Sequence, residues 1–133
     1  MKSLRIKRAP SSIMIIDDEE SVLEMMMEIF EGHHLHPASD ADTAITWLEK
    51  HPDEAQKINL VFCDYAMPGK DGVTALNEIR KFATNAKLIL ITGVVIDRLD
   101  QFVAEHGFDA GLPKPFTVGQ MKEILEQLLP SST

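Results

Sequence analysis

Short apolar runs alternate along the chain with segments of helical period, and a polar residue follows each run. Residues 13–16 lead into Asp17 and Asp18, residues 60–63 into Asp64, and residues 88–91 into Thr92; residues 110–112 are soon followed by Lys114. Runs this short and this uniformly apolar are those of strands covered on both faces. Between the first two, residues 20–31 set Val22, Met26, Ile29 and Phe30 on one stripe, and Gly32 stops the helix. The spacing predicts further helices at about 41–51, 73–82 and 97–106. A last helix after Thr117 turns Met121, Ile124, Leu125 and Leu128 inward and ends at Pro130. Strands are predicted at about 13–17, 34–37, 58–64, 88–92 and 109–112. The second is an edge strand, because Pro37 lacks a ladder donor.

Strand and helix alternating five times is the signature of βαβ units, hence an α/β fold with a five-stranded parallel sheet and helices on both faces. In the common order 2-1-3-4-5 the first and third strands flank the switch point, beyond whose carboxyl ends sites form. Asp17 and Asp18 end one of these strands and Asp64 ends the other. Acids also suit the first turn of a helix, but a third carboxylate from a separate strand calls for a shared cation. Carboxylates, carbonyls and water suit a hard ion such as Mg²⁺. Lys114 follows the last strand, from which its ammonium reaches the acids and pairs with Asp64. Thr92, with the small Gly93 after it, leaves room for a phosphoryl group.

Composition narrows the classes. At 133 residues, 44% hydrophobic and 26% charged, the chain has one domain's worth of ordinary globular sequence. We expect a basic lead-in tail over 1–12, the domain over 13–129, and a tail or cut linker over 130–133. A net charge of −8 argues against nonspecific nucleic-acid binding. The apolar run at 13–16 is too short for a secretory core or a membrane span, so a cytoplasmic protein is expected. Cys63, the single cysteine, excludes an intramolecular disulfide and reads as a buried, inert thiol. His33, His34 and His36 lack zinc spacing and read as a solvated turn with one inward ring. Met25, Met26 and Met27 read as helix packing.

Four stretches, in order, are identified together: Ile15-Ile16-Asp17-Asp18-Glu19, Asp64-Tyr65-Ala66-Met67-Pro68-Gly69-Lys70-Asp71-Gly72, Ile91-Thr92-Gly93 and Lys114-Pro115-Phe116. As a set they resemble the receiver domain of two-component response regulators, in its single-domain, chemotaxis-regulator-like form, over about residues 13–129. The resemblance implies a flavodoxin-like receiver fold that takes a phosphoryl group on Asp64 from a histidine kinase or phosphotransfer protein and signals to a protein partner. It implies Mg²⁺ held directly by Asp18, mostly through water by Asp17, and by Asp64 and the main-chain carbonyl of Ala66. Thr92 and Lys114 would contact phosphoryl oxygens. The chain would be no enzyme beyond its own phosphorylation and dephosphorylation. A receiver joined to a longer transcription regulator is a further expectation, with DNA binding outside this chain.

Two departures from the family pattern carry expectations of their own. Gly111 stands where receivers usually place an aromatic residue, three before the lysine, so output is expected to run through Thr92 and loop 93–96, with a shift of the following helix. Ala66 and Val94, each two residues beyond a site residue, offer no side-chain hydrogen bond to an attacking water, so a long-lived phosphoryl group is expected. The competing class is an aspartyl-nucleophile phosphatase of the haloacid-dehalogenase type. It needs an acid two places after the nucleophile, where Ala66 stands.

Overall fold

The computed structural model describes residues 10–129. The lead-in over 1–9 and the tail over 130–133 lie outside them. Five parallel strands, β1 (Ser12–Ile16), β2 (His34–Ala38), β3 (Leu60–Asp64), β4 (Lys87–Thr92) and β5 (Ala110–Pro113), form one sheet in the order β2-β1-β3-β4-β5. Six helices complete the chain: α1 (Glu20–Ile29), α2 (Ala41–Lys50), α3 (Pro52–Lys57), α4 (Gly72–Ile79), α5 (Leu99–Glu105) and α6 (Val118–Leu128).

Alternation along each strand divides the core in two. Met14, Ile16, Val61, Cys63, Leu88 and Leu90 face α2, α4 and α5, while Ile13, Ile15, Phe62, Ile89, Ile91 and Leu112 face α1 and α6. Every residue of β3 is buried, which accounts for its unbroken apolar run. Parallel pairing sets Ile16 beside Cys63 and Asp64 beside Ile91, bringing the chain ends of β1, β3 and β4 to one rim.

Caps fix where the helices start. Asp40 accepts from the Thr43 amide at the start of α2, Asp71 from the Thr74 amide at α4, and Thr117 and Gln120 form a reciprocal capping box at α6. The start of α4 also has a steric cause. A Cβ on Gly72 would lie 2.5 Å from the Asp64 carbonyl oxygen and 2.8 Å from Tyr65 Cα, so only glycine lets α4 pack this close behind the site.

Several expectations need correction. Ser11 and Ser12 belong to the sheet rather than to the lead-in: Ser11 is buried, its carbonyl accepts from the His34 amide, and Ser12 opens β1. Helix α3 lies between the predicted helix over 41–51 and the predicted strand over 58–64, where no element is expected, with Pro52 in its first turn and Ala55 buried. Its Gln56 donates to the Phe82 carbonyl and accepts from the Thr84 hydroxyl and, through its own carbonyl, from the Asn85 amide. Two imidazoles, not one, turn inward. His33 Nδ1 accepts from the Ser11 amide, and His36 lies tilted against Trp47 at 4.6 Å, on which His51 stacks at 4.6 Å. Burial holds the His36 ring below the usual imidazole range. Of the three methionines, Met26 is buried and Met27 exposed.

Candidate functional site

Asp17, Asp18, Asp64 and Lys114 meet at the switch point between β1 and β3. Asp17 is the first residue past β1, anchored where its amide donates to the Ala38 carbonyl, and it is wholly buried. Its Oδ1 accepts from the Glu19 amide at 2.8 Å, which fixes the carboxylate plane. Its Oδ2 lies 2.9 Å from Lys114 Nζ but out of line for a hydrogen bond, and is otherwise shut in without a partner. Asp18 is exposed and Asp64 nearly fully buried, and one oxygen from each of the three carboxylates falls within 4.8 Å of the others.

Three carboxylates at that spacing repel, and Asp64 is out of water as well. Burial, then the charge of Asp17, raises its pKa to about 6, against the pull of Lys114. Lys114 Nζ stands 2.9 Å from Asp17, 2.9 Å from Glu19 and 3.4 Å from Asp64. Burial works against its charge, but the carboxylates of Glu19 and Asp17 outweigh it and hold the ammonium above the usual lysine range. The lysine thus leans toward Asp17 and Glu19 more than toward Asp64, the partner expected from sequence. Sequence reasoning gave Glu19 no role in the site, although the run of four acids after the strand, Asp17 to Glu20, was the available signal.

The donor set suits a hard divalent cation. All of its atoms are carboxylate oxygens, and Asp17 Oδ2 is a buried acceptor lacking a hydrogen-bond donor. Ala66 is exposed in the loop between β3 and α4, on the same rim. Cys63, behind Asp64, takes no part: burial and then the Asp64 charge push its thiol far up.

Thr92 ends β4 and is buried, with its hydroxyl engaged by the loop that follows. It donates to the Val94 carbonyl at 3.0 Å and accepts from the Val94 amide at 2.9 Å. Val94 is 49% exposed. A cavity of about 220 Å³ opens between this loop and β5, lined by Thr92, Val94, Ile96, Leu99, Pro113 and Lys114. Gly111 does not leave a void where a ring is usual. Leu99, the first residue of α5, packs on it so closely that a Cβ there would lie 2.7 Å from Leu99 Cγ. Tyr65, next to Asp64, meets Phe102 of α5 edge-to-face at 6.1 Å. Neither contact had a sequence signal, since both join residues remote in the chain.

Comparison with known proteins matches the same architecture. The model of the response regulator receiver domain covers residues 13–126. The chemotaxis protein CheY of Treponema pallidum is 28% identical over 120 residues, which span 90% of this chain and 81% of that protein. The regulatory protein AtoC of Escherichia coli is 30% identical over 125 residues, 91% of this chain but 26% of AtoC. Among solved structures, a chain of the CheX–CheY–BeF3–Mg complex from Borrelia burgdorferi superposes with a TM-score of 0.77 at 26% identity. That match covers 89% of this chain and 88% of the other. Among the described residues no helix is long and apolar enough to cross a membrane.

Proposed function

The chain belongs to the response regulator receiver domain family, the phosphoacceptor signalling modules of two-component systems, and from that premise we propose that Asp64 is its phosphoacceptor. The observation that carries the reading is the convergence of Asp17, Asp18 and Asp64, one oxygen from each within 4.8 Å of the others, with Lys114 Nζ 3.4 Å from Asp64. A carboxylate oxygen of Asp64 attacks phosphorus, and the bond from phosphorus to the donor breaks with the electron pair leaving on the donor. Little else is asked of the protein than positioning and neutralising charge. Asp17, Asp18, Asp64 and the Ala66 carbonyl would hold Mg²⁺, which supplies positive charge to the transferring oxygens when bound. Lys114 supplies a second positive charge beside Asp64. Thr92 supplies a hydroxyl once it is released from Val94.

The donor in this reading is a histidine kinase or phosphotransfer protein, and the output is a protein partner rather than nucleic acid. Residues 13–129 act as the signalling unit in the cytoplasm, with no turnover of other substrates. An aspartyl phosphatase is disfavoured by Ala66, which has no acid to protonate a leaving group. With Leu99 seated on Gly111, the loop from Gly93 to Ile96 and the start of α5 are the route from Thr92 to a partner surface.

Mass spectrometry after incubation with acetyl phosphate and Mg²⁺ tests the assignment. A phosphoryl adduct is expected on the wild type and not on Asp64→Asn, and equal labelling of both would remove Asp64 from its role. Followed over time, the adduct is expected to decay faster in Ala66→Asn or Val94→Glu, which return a polar group beside the phosphorus.

A further inference from the structure

Glu19 is an unusual residue to find at the head of α1. It occupies the N-cap, where Ser, Thr, Asp or Asn would return a side chain to the helix amides, yet it makes no such bond. Its carboxylate instead meets the ammonium of Lys114, which reaches back from the residue after β5, and Oε1 accepts from Nζ at 2.9 Å. Residues 19 and 114 are brought together by the fold alone.

An ammonium has three N–H donors. In this structure two of its near contacts are Asp17 and Glu19 at 2.9 Å, while Asp64 stands farther off at 3.4 Å. The two nearer carboxylates differ in kind. Asp17 is wholly buried and is one of the oxygens a divalent cation would take, whereas Glu19 is 57% exposed and outside the cation cluster. A cation on Asp17 and Lys114 therefore contend for the same oxygen, and Glu19 is the partner the lysine keeps.

We propose that Glu19 is a positioning residue that holds Lys114 over Asp64 when a cation occupies Asp17, a role that rests on the phosphoacceptor reading above. A free lysine side chain must give up about as much rotamer freedom as any residue to be fixed in one place. The Glu19 contact fixes it beforehand, with Nζ kept 3.4 Å from the Asp64 carboxylate.

Beryllofluoride binding at saturating Mg²⁺, followed by calorimetry, tests this directly. Glu19→Ala is expected to weaken binding roughly two- to five-fold, the scale of a partly exposed ion pair, and Glu19→Gln, which keeps an oxygen at the same reach, to recover part of that loss. Wild-type affinity in Glu19→Ala, or equal losses in the two variants, would overturn the inference, the latter because charge alone would then explain the effect. A double-mutant cycle of Glu19→Ala with Lys114→Met, read from urea midpoints without metal, is expected to be non-additive; additivity would likewise overturn it. If wild type and Asp64→Asn bind beryllofluoride alike, the site reading itself fails, whereas wild-type binding with an unaffected Glu19→Ala removes only the role of Glu19.

Discussion

Asp64 is held at odds with its chemistry: a carboxylate nearly out of water, beside another that is wholly buried. Its pKa of about 6 against an ordinary 3.8 means that the folded protein binds this proton more tightly than the unfolded chain does. The stabilisation from that proton is complete below about pH 3.8 and is lost as pH rises through about 6. Without divalent ions, the urea midpoint of the wild type should therefore fall relative to that of Asp64→Asn between pH 4 and 7. A constant gap across that window would mean that Asp64 is not perturbed. Glu19 shows how far single residues can be read in a sequence. Its charge and its place beside Asp17 were visible, but its contact with Lys114 depends on the lysine reaching back from the end of β5 to the start of α1.

Between elements, Leu99 of α5 is seated tightly on Gly111 of β5. A methyl added at 111 would meet three side-chain carbons of Leu99 at 2.7–3.1 Å, so Leu99 must shift to admit it. Gly111→Ala should cost about 1–3 kcal/mol, the usual penalty of overpacking. Leu99→Ala in the same background should restore part of it, as measured by thermal or urea unfolding of the two single variants and the double. Equal costs with and without Leu99 would show that the strain lies elsewhere. The strands were legible because β1, β3 and β4 are buried on both faces and each ends in a polar residue. Helix α3 was not, since six residues of mostly polar sequence with one buried alanine carry no period to detect. Its cue was local: Pro52 followed by Asp53 and Glu54, a first-turn pattern. The seat of Leu99 left no trace in the sequence beyond an apolar residue and a glycine twelve positions apart.

At the scale of the molecule, folding gathers like charges at one rim of the sheet, and a cation relieves them. Asp18→Ala should raise the urea midpoint of the metal-free protein by lowering that repulsion, and should remove the stabilisation that Mg²⁺ gives the wild type. A variant that still gains as much from Mg²⁺ would exclude Asp18 as a ligand. Much of the fold and the acid cluster could be read from sequence because both follow from strand order and strand ends. The hydroxyl pairing of Thr92 with Val94, the lean of Lys114 and the ring contact of Tyr65 with Phe102 could not, because they depend on loop paths. Gln56 bears on how the molecule opens. One side chain and its carbonyl tie α3 to the turn between α4 and β4, so neither segment can fray without the other. In hydrogen exchange the two should behave as a single cooperative unit with a common opening free energy. Gln56→Ala removes the two side-chain bonds and keeps the one to its main-chain carbonyl, and should let the two segments open with unequal free energies; unchanged exchange across both would show that the side chain does not couple them.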